Sequence, residues 1–317
     1  MTSRGAAIVV VLGLLVAACT GSSDVPVEIL DGPMSGVDVV VGGTPQPSER
    51  IMSAFLVAAL QDRGATVIDR SDTEGVALNR DDLVAGRLDV VPEDIGTGWF
   101  IHLGGADDFD TTTELATALR TRDRPNGVEW SDHSSFDEAL VAVALREAAT
   151  DDDGEVISLE QLAQRLSNSF DAVVCVDQET LKSPDGLVRF ERATEFTVPA
   201  EQLQVQESED LIPLVASGDC TIAFVPGVDP AIGDAGLVAI DRFAPEGRPQ
   251  LVFVPRNAAY MFGADFYAEW SPWLGPFLES LMVTLDTETM TRLKAELADG
   301  DESVDIARRH LERNQLL

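Results

Sequence analysis

Three groups of residues in this 317-residue chain carry side chains able to act on a small molecule. Glu93 and Asp94 stand together in GRLDVVPEDIGTGW, Gly86 to Trp99, directly before an Ile-Gly-Thr turn. Two carboxylates there either solvate a loop or look into a cleft. Asp132, His133 and Ser134 are the three side-chain types of a hydrolytic relay, but adjacency does not align them, because relay members normally come from separate elements. General bases are scarce, with only His102, His133 and His310 in the chain. No His or Cys pair has metal-ligand spacing, and no glycine loop runs into Lys and Ser or Thr, so no catalytic residue, metal or cofactor is expected. An oxygen-only calcium site stays open to so acidic a chain, although EF-hand spacing is absent. The third group is Cys175 and Cys220, which form either a disulfide in an oxidising compartment or two buried thiols.

The elements that must position these groups are legible in the hydrophobic pattern. Val37 to Gly43 is a β-branched run closed by glycine, which predicts a buried strand. Pro47 and Ser48 suit a helix start; Ile51, Phe55, Leu56, Ala59 and Leu60 form one apolar stripe; Gly64 suits the stop. Ala65 to Arg70 predicts a second strand, and a short helical stretch from Asp81 to Ala85 leads through Gly86 into a third. Parallel α/β is the economical reading of that order. The alternation recurs in Phe170 to Asp177, Asp210 to Gly218 and Cys220 to Gly227, which predicts a second α/β lobe. Thr121 to Phe136, with Pro125 and Gly127, reads as the crossing between lobes, and a return is expected near Val228 to Gly236. Phe262, Phe266, Trp270, Trp273 and Phe277 recur at helical spacing and are either helix core or ligand-stacking rings. Asp286 to Leu297 and Ser303 to Asn314 are amphipathic helices. In open α/β sheets the crevice lies beyond the carboxyl ends of the strands, so the turns after Val41 and Val91 should face it together. That arrangement gathers Thr44, Gln46 and Ser48 beside Glu93, Asp94, Gly96 and Thr97.

The first residues bound the location. Arg4 precedes an apolar run, Ala6 to Ala18, too short to span a bilayer and ending in VAAC. This predicts an export signal over residues 1–18 with a lipobox, leaving Cys19 as the acylated first residue of an extracytoplasmic protein; an uncleaved anchor helix is the alternative. A linker over 19–35 would follow, then one lobe over 36–132 and 237–317 and another over 133–236. An apolar share of 45% excludes a disordered chain. The formal charge of −33 is spread along the sequence, which predicts an acidic surface that repels nucleic acid and anionic lipid heads. A monomer is expected.

These residues resemble the extracytoplasmic solute-binding proteins of ABC importers for glycine betaine, choline and related osmoprotectants. VVVGGTPQPSERIMSAFLVAALQDRG resembles the family's opening strand, loop and helix. LVAGRLDVVPEDIGTG resembles its more specific signature: a leucine-glycine helix end, Ile-Asp, and Pro-Glu-Tyr-Thr-Gly-Thr. Val128 to Ala144 resembles the first crossing, Ser183 to Phe196 a Pro-Asp-Gly-Leu segment of the second lobe, and Leu285 to Leu293 the closing helix. The resemblance implies a two-lobed type II periplasmic-binding-protein fold with two hinge crossings, closing around a small-molecule solute and delivering it to an ABC permease subunit.

The family's ligand cage is largely tyrosine, because a quaternary ammonium has no N–H to donate and is held by ring faces. This chain has only Tyr260 and Tyr267. Asp94 stands at a cage tyrosine of the signature and Ile95 at the next threonine; Leu140 stands at another tyrosine; APEGRPQ, Ala244 to Gln250, replaces a segment that commonly carries aromatics. The resemblance therefore carries the fold and the importer but not choline or betaine. A buried unpaired carboxylate costs several kcal/mol, so Asp94 requires a partner: a ligand ammonium or guanidinium, a ligand hydroxyl, or an internal arginine such as Arg50 or Arg256. By the family match Glu93 braces the loop, Gly96 permits an unusual backbone dihedral, Thr97 caps the next helix, and Asp137 lies where hinge and ligand contacts coincide. The expected function is a lipid-anchored receptor for a small polar or cationic solute. The rival reading is a lipoprotein of the same build that serves as a sensor or protein-interaction module.

Overall fold

The structure, a computed structural model, describes residues 32–72, 76–105, 109–183, 186–243 and 251–317. The expected export signal, Cys19, most of the linker and the divergent Ala244 to Gln250 lie outside the described residues.

The opening β-branched run forms β1 (Asp38–Gly42), followed by a helix over Pro47–Asp62, β2 (Thr66–Arg70), a helix over Val76–Val84 and β3 (Val90–Asp94). β1 pairs in parallel with both β2 and β3, as the alternation predicts. β3 runs on through Glu93 and Asp94, so these residues end a strand and do not sit in a free loop. A helix over Thr112–Asp123 then leads to β4 (Val128–Trp130), a strand inside the stretch expected to be all crossing. The second sheet comprises β5 (Leu140–Ala144), β6 (Val174–Val176), β7 (Leu203–Val205), β8 (Ile222–Pro226) and β9 (Val238–Ile240), in the order β7-β6-β8-β5-β9. The chain then returns as β10 (Ala258–Gly263), which completes the first sheet in the order β2-β1-β3-β10-β4.

Two expectations change here. The sheets are mixed, because β10 re-enters between β3 and β4 and runs antiparallel to both, while β5 runs antiparallel to β8 and β9. The return crossing also falls later than Val228 to Gly236. β9 pairs with β5, so Val238–Ile240, expected in the first lobe, belong to the second sheet.

Each sheet separates two apolar layers by the period-two alternation of its strands. On β10, Tyr260 and Phe262 face the layer built on helix Pro47–Asp62, whereas Ala259 and Met261 face Trp99, Leu115 and Trp130. On β8, Ile222 and Phe224 face one layer of the second lobe and Ala223 and Val225 the other. Helix Pro47–Asp62 departs from the single-stripe reading, since every residue from Ile51 to Leu60 is buried. It lies against the first sheet on one side and the C-terminal helices Thr287–Ala298 and Ser303–Arg313 on the other, and a helix enclosed all round must be apolar all round. Phe262 belongs to β10, and its ring stacks on Phe266 at the start of the helix Ala264–Val283. Phe266, Trp270 and Trp273 pack against the first-lobe core, and Phe277 lies within it.

In the second lobe a disulfide joins Cys175 on β6 to Cys220, just ahead of the adjacent β8, with the Cα atoms 5.9 Å apart. No described helix is long and apolar enough to cross a membrane.

The two straps linking the lobes are tied to each other. Asp137 and Asn257 form an isolated antiparallel bridge, and Glu138 N–H donates to the Arg256 carbonyl at 3.3 Å. The Asn257 amide donates to the carbonyls of Ser134 (3.3 Å) and Phe136 (3.0 Å).

Candidate functional site

β3 delivers Glu93 and Asp94 to the edge of the first lobe, and one wide helical turn, Thr97–His102, follows at once. The helical run begins at Ile95, and Asp94 directly precedes it. Asp94 Oδ1 accepts from Thr97 N–H at 2.6 Å and its Oδ2 from the Thr97 hydroxyl at 2.7 Å. This reverses the expected roles, because Thr97 donates and Asp94 accepts. Burial pushes the Asp94 carboxyl up, opposed by the Thr97 bonds and the Arg256 charge.

Glu93 braces this turn from behind. Its Oε1 accepts from Asp94 N–H at 2.9 Å, and its Oε2 lies 3.0 Å from His102 Nε2. Burial, then the Asp94 charge, pushes Glu93 well above the usual carboxylate range, while burial and the Arg80 guanidinium push His102 down to about 4. With both side chains 4% exposed or less, the pair is best described as a carboxylic acid donating to a neutral imidazole. Beneath it, Arg80 forks onto Asp123, which also accepts from Trp130 Nε1 (2.7 Å) and Asn126 Nδ2 (3.0 Å). These bonds fasten two helices and β4 behind the turn.

Gly96 has ordinary right-handed helical angles, φ −70° and ψ −49°, so the expected unusual dihedral is absent. Space explains the glycine. A Cβ there would lie 2.4 Å from Val254 Cγ1 and 2.5 Å from the Pro255 carbonyl oxygen, both on the second crossing.

The crevice between the lobes holds two cavities that meet at Ser183 and Arg256. The larger, about 440 Å³, lies mainly against the second lobe and is lined by five carboxylates, Glu138, Asp177, Glu179, Glu209 and Asp229, against one guanidinium, Arg256. Its apolar wall is Leu140, Leu211, Phe224, Val225 and Pro226. The smaller, about 310 Å³, lies between Gly96 to Ile101 of the first lobe and Ser183 and Arg189 of the second. Both volumes suit a small molecule.

Of the expected ligand residues, only Thr97 lines this space, with Gly96 beside it. Thr44 is buried; its N–H donates to Glu49 Oε2 at 3.0 Å and its hydroxyl accepts from Gln46 N–H at 3.3 Å. The Gln46 side chain is exposed. Ser48 is buried and reaches the crevice only through Glu138, to which its hydroxyl donates at 2.6 Å. Asp94 is half-buried, with both carboxylate oxygens turned onto Thr97, and lines neither cavity. Asp137 Oδ1 accepts from Ala139 N–H (2.8 Å) and Arg256 N–H (2.6 Å), so it fastens the straps, and burial pushes its carboxyl up to about 6.

Neither tyrosine reaches the crevice. Tyr260 is wholly buried and donates to the Met52 carbonyl at 2.8 Å, and Tyr267 packs on Phe262. Asp132, His133 and Ser134 form no relay: Asp132 pairs with Arg120, His133 Nδ1 faces the Ser134 carbonyl, and the Ser134 hydroxyl donates to the Phe136 carbonyl. Among the described residues no group of three or more His, Cys, Asp or Glu is placed to hold a metal ion. Glu138, Asp177 and Asp229 were not legible as wall residues, because only tertiary folding brings the crossing, the end of β6 and the end of β8 together.

Residues 37–313 match the family described as OpuAC, the substrate-binding domain of ABC-type glycine betaine transport systems. The chain belongs to that family. It is a family of binding proteins, not enzymes, so the protein is the substrate-binding component of an ABC importer system. Among solved structures, apo YehZ from Escherichia coli is similar with a TM-score of 0.74 at 18% identity, covering 88% of this chain and 99% of that one. A glycine betaine/carnitine/choline ABC transporter protein is similar with a TM-score of 0.73 at 16% identity, over 88% and 99%. Lactococcal OpuAC, closed on glycine betaine, gives 0.53 at 11% identity, over 88% and 96%. No curated protein matches the sequence. At these identities the structural likeness speaks for the fold, which is the two-lobed type II periplasmic-binding-protein architecture.

Proposed function

We propose that the protein is a lipid-anchored receptor, acylated at Cys19, that takes a small polar or cationic solute of the osmoprotectant class into the crevice and passes it to the permease subunit of an ABC importer. Family membership supports the receptor role, and the lipobox ending at Cys19 supports the anchor. The observation that carries the solute class is the crevice wall, where five carboxylates oppose one guanidinium. Such a wall attracts cations and polar groups that donate hydrogen bonds, and it disfavours anions.

Thr97, Glu138, Leu140 and Arg256 are the residues proposed to meet the solute. Ser48, Glu93, Asp94, Gly96 and Asp137 hold them in place, and Thr44 and Gln46 shape the loop beneath. Native mass spectrometry of the purified protein, followed by thermal-shift titration with choline, glycine betaine, polyamines and polyols, tests this reading. A cation or polyol retained in the crevice, or raising the melting temperature, is expected; no retained solute and no shift by any of them would refute the receptor role. Membrane fractionation tests the anchor, since a Cys19→Ser chain should leave the membrane fraction.

A further inference from the structure

Among the carboxylates of the larger cavity, Glu138 is the one held by side chains of the first lobe. Its Oε1 accepts two bonds, from the Ser48 hydroxyl at 2.6 Å and from Lys294 Nζ at 3.1 Å, and these donors stand on different helices of the first lobe. Its Oε2 takes no hydrogen bond among the described residues. Asp177 has both oxygens engaged, by Thr180 N–H and the Ser208 hydroxyl, while Asp229 accepts through Oδ1 from Ala231 N–H within its own turn and has no tie to the first lobe among the described residues. Glu138 is thus oriented from the side of the first lobe through one oxygen, with the other unspent, at the strap where the lobes meet.

The ring faces that a quaternary ammonium needs are missing from the same walls. No tyrosine or tryptophan lines either cavity among the described residues. Phe224 is 1% exposed and packed against Phe190 and Phe253, and Phe100 already carries the Arg189 guanidinium 5.5 Å from its ring centre.

We propose that Glu138, through Oε2, is the specificity-determining acceptor of the crevice and selects a cation that bears N–H groups, an alkylammonium or a guanidinium. The proposal rests on the receptor reading above and narrows its solute class. An N–H cation forms a charge-assisted hydrogen bond with a carboxylate oxygen, which a methylated nitrogen cannot do. Leu140, Leu211, Val225 and Pro226 beside it suit the methylene chain of such a molecule. Lys294 is the internal competitor: it orients Glu138 and also offsets part of its charge.

Isothermal titration of the mature chain with putrescine, agmatine, choline and glycine betaine tests this, using wild type, Glu138→Gln and Lys294→Met. Putrescine or agmatine should bind wild type more tightly than either quaternary compound. Glu138→Gln, which keeps the shape and loses the charge, should weaken that binding tenfold or more. Lys294→Met should tighten it, whereas a merely structural role for the Lys294–Glu138 pair predicts weakening. If Glu138→Gln fails to fold by circular dichroism, the wild-type ranking and the Lys294→Met arm decide. Tighter binding of choline or betaine, or an N–H cation affinity within twofold of wild type in Glu138→Gln, overturns the proposal and leaves the receptor reading standing. If no probe binds and native mass spectrometry finds no retained solute, both fall.

Discussion

Gly96→Ala should loosen the junction between the first lobe and the second crossing. The new methyl carbon would lie 2.4 Å from Val254 Cγ1 and 2.5 Å from the Pro255 carbonyl oxygen, whereas carbon contacts relax near about 3.5–4.0 Å. One side must therefore move by about 1 Å, and a backbone oxygen on a cross-bonded strap cannot swing aside like a side-chain tip. Overpacking of this kind costs about 1–3 kcal/mol. Against it stands the helix preference of alanine over glycine, about 1 kcal/mol, which applies because φ is −70° and ψ −49°. The balance is a loss of up to about 2 kcal/mol, or up to roughly 8 °C in melting temperature for a chain of this size. Thermal denaturation followed by circular dichroism measures it, and Val254→Ala in the same background should recover part of the loss by removing one of the two overlaps. The strap carries Arg256, so solute affinity should fall with stability. A Gly96→Ala protein that melts above the wild-type temperature would refute the close approach of the strap.

Stability should also fall as pH rises from about 6.5 to 8. Burial pushes Glu49 up to about 8 despite its bonds with Thr44, so the folded state holds this proton more tightly than the unfolded state and the contribution is lost as pH climbs through 8. His102 and His310, pushed down to about 4 by burial, oppose this only below pH 6.5. Urea titrations at several pH values should show the slope, at most about 1.4 kcal/mol per pH unit for one group, and Glu49→Gln should reduce it, the remainder coming from Glu93, which burial also pushes up. Replacing Cys175 and Cys220 together by alanine opens a disulfide spanning 45 residues and should cost about 4 kcal/mol, removing any effect of reductant on the melting temperature. Asp123→Asn strands the buried Arg80 guanidinium and should cost about 3–5 kcal/mol in urea denaturation, far more than Asp132→Asn on the exposed Arg120 pair.

Local patterning was enough for most elements. A β-branched run closed by glycine, a proline-started helix and the repeat of that order announce themselves within ten or twenty residues, since burial imposes a period of two on strands and 3.6 on helices. The signature around Glu93 is likewise continuous in sequence, so it could be read directly. Long-range pairing could not. β4 and β9 are three residues each, too short to show a period, and β10 joins strands more than a hundred residues upstream.

The site divides along the same line. Chemistry within one segment was accessible in part: Glu93 braces and Asp94 and Thr97 are paired, though the direction of that pairing depended on side-chain geometry. Sequence alone leaves three partners open for Asp94, a ligand cation, a ligand hydroxyl or an internal arginine; the fold supplies Thr97 at three residues' remove, together with the positive field of Arg256 from the second strap. Gly96 was read as a backbone exception because neighbours in sequence reveal dihedral demands, whereas the atoms that exclude its Cβ arrive from residues 254 and 255. The crevice wall itself is a product of tertiary folding. Glu138, Asp177, Asp229 and Arg256 are spread over 119 positions and come from the two straps and two strand ends. A cleft is made where separately encoded lobes meet, and no single stretch of chain contains both of its sides.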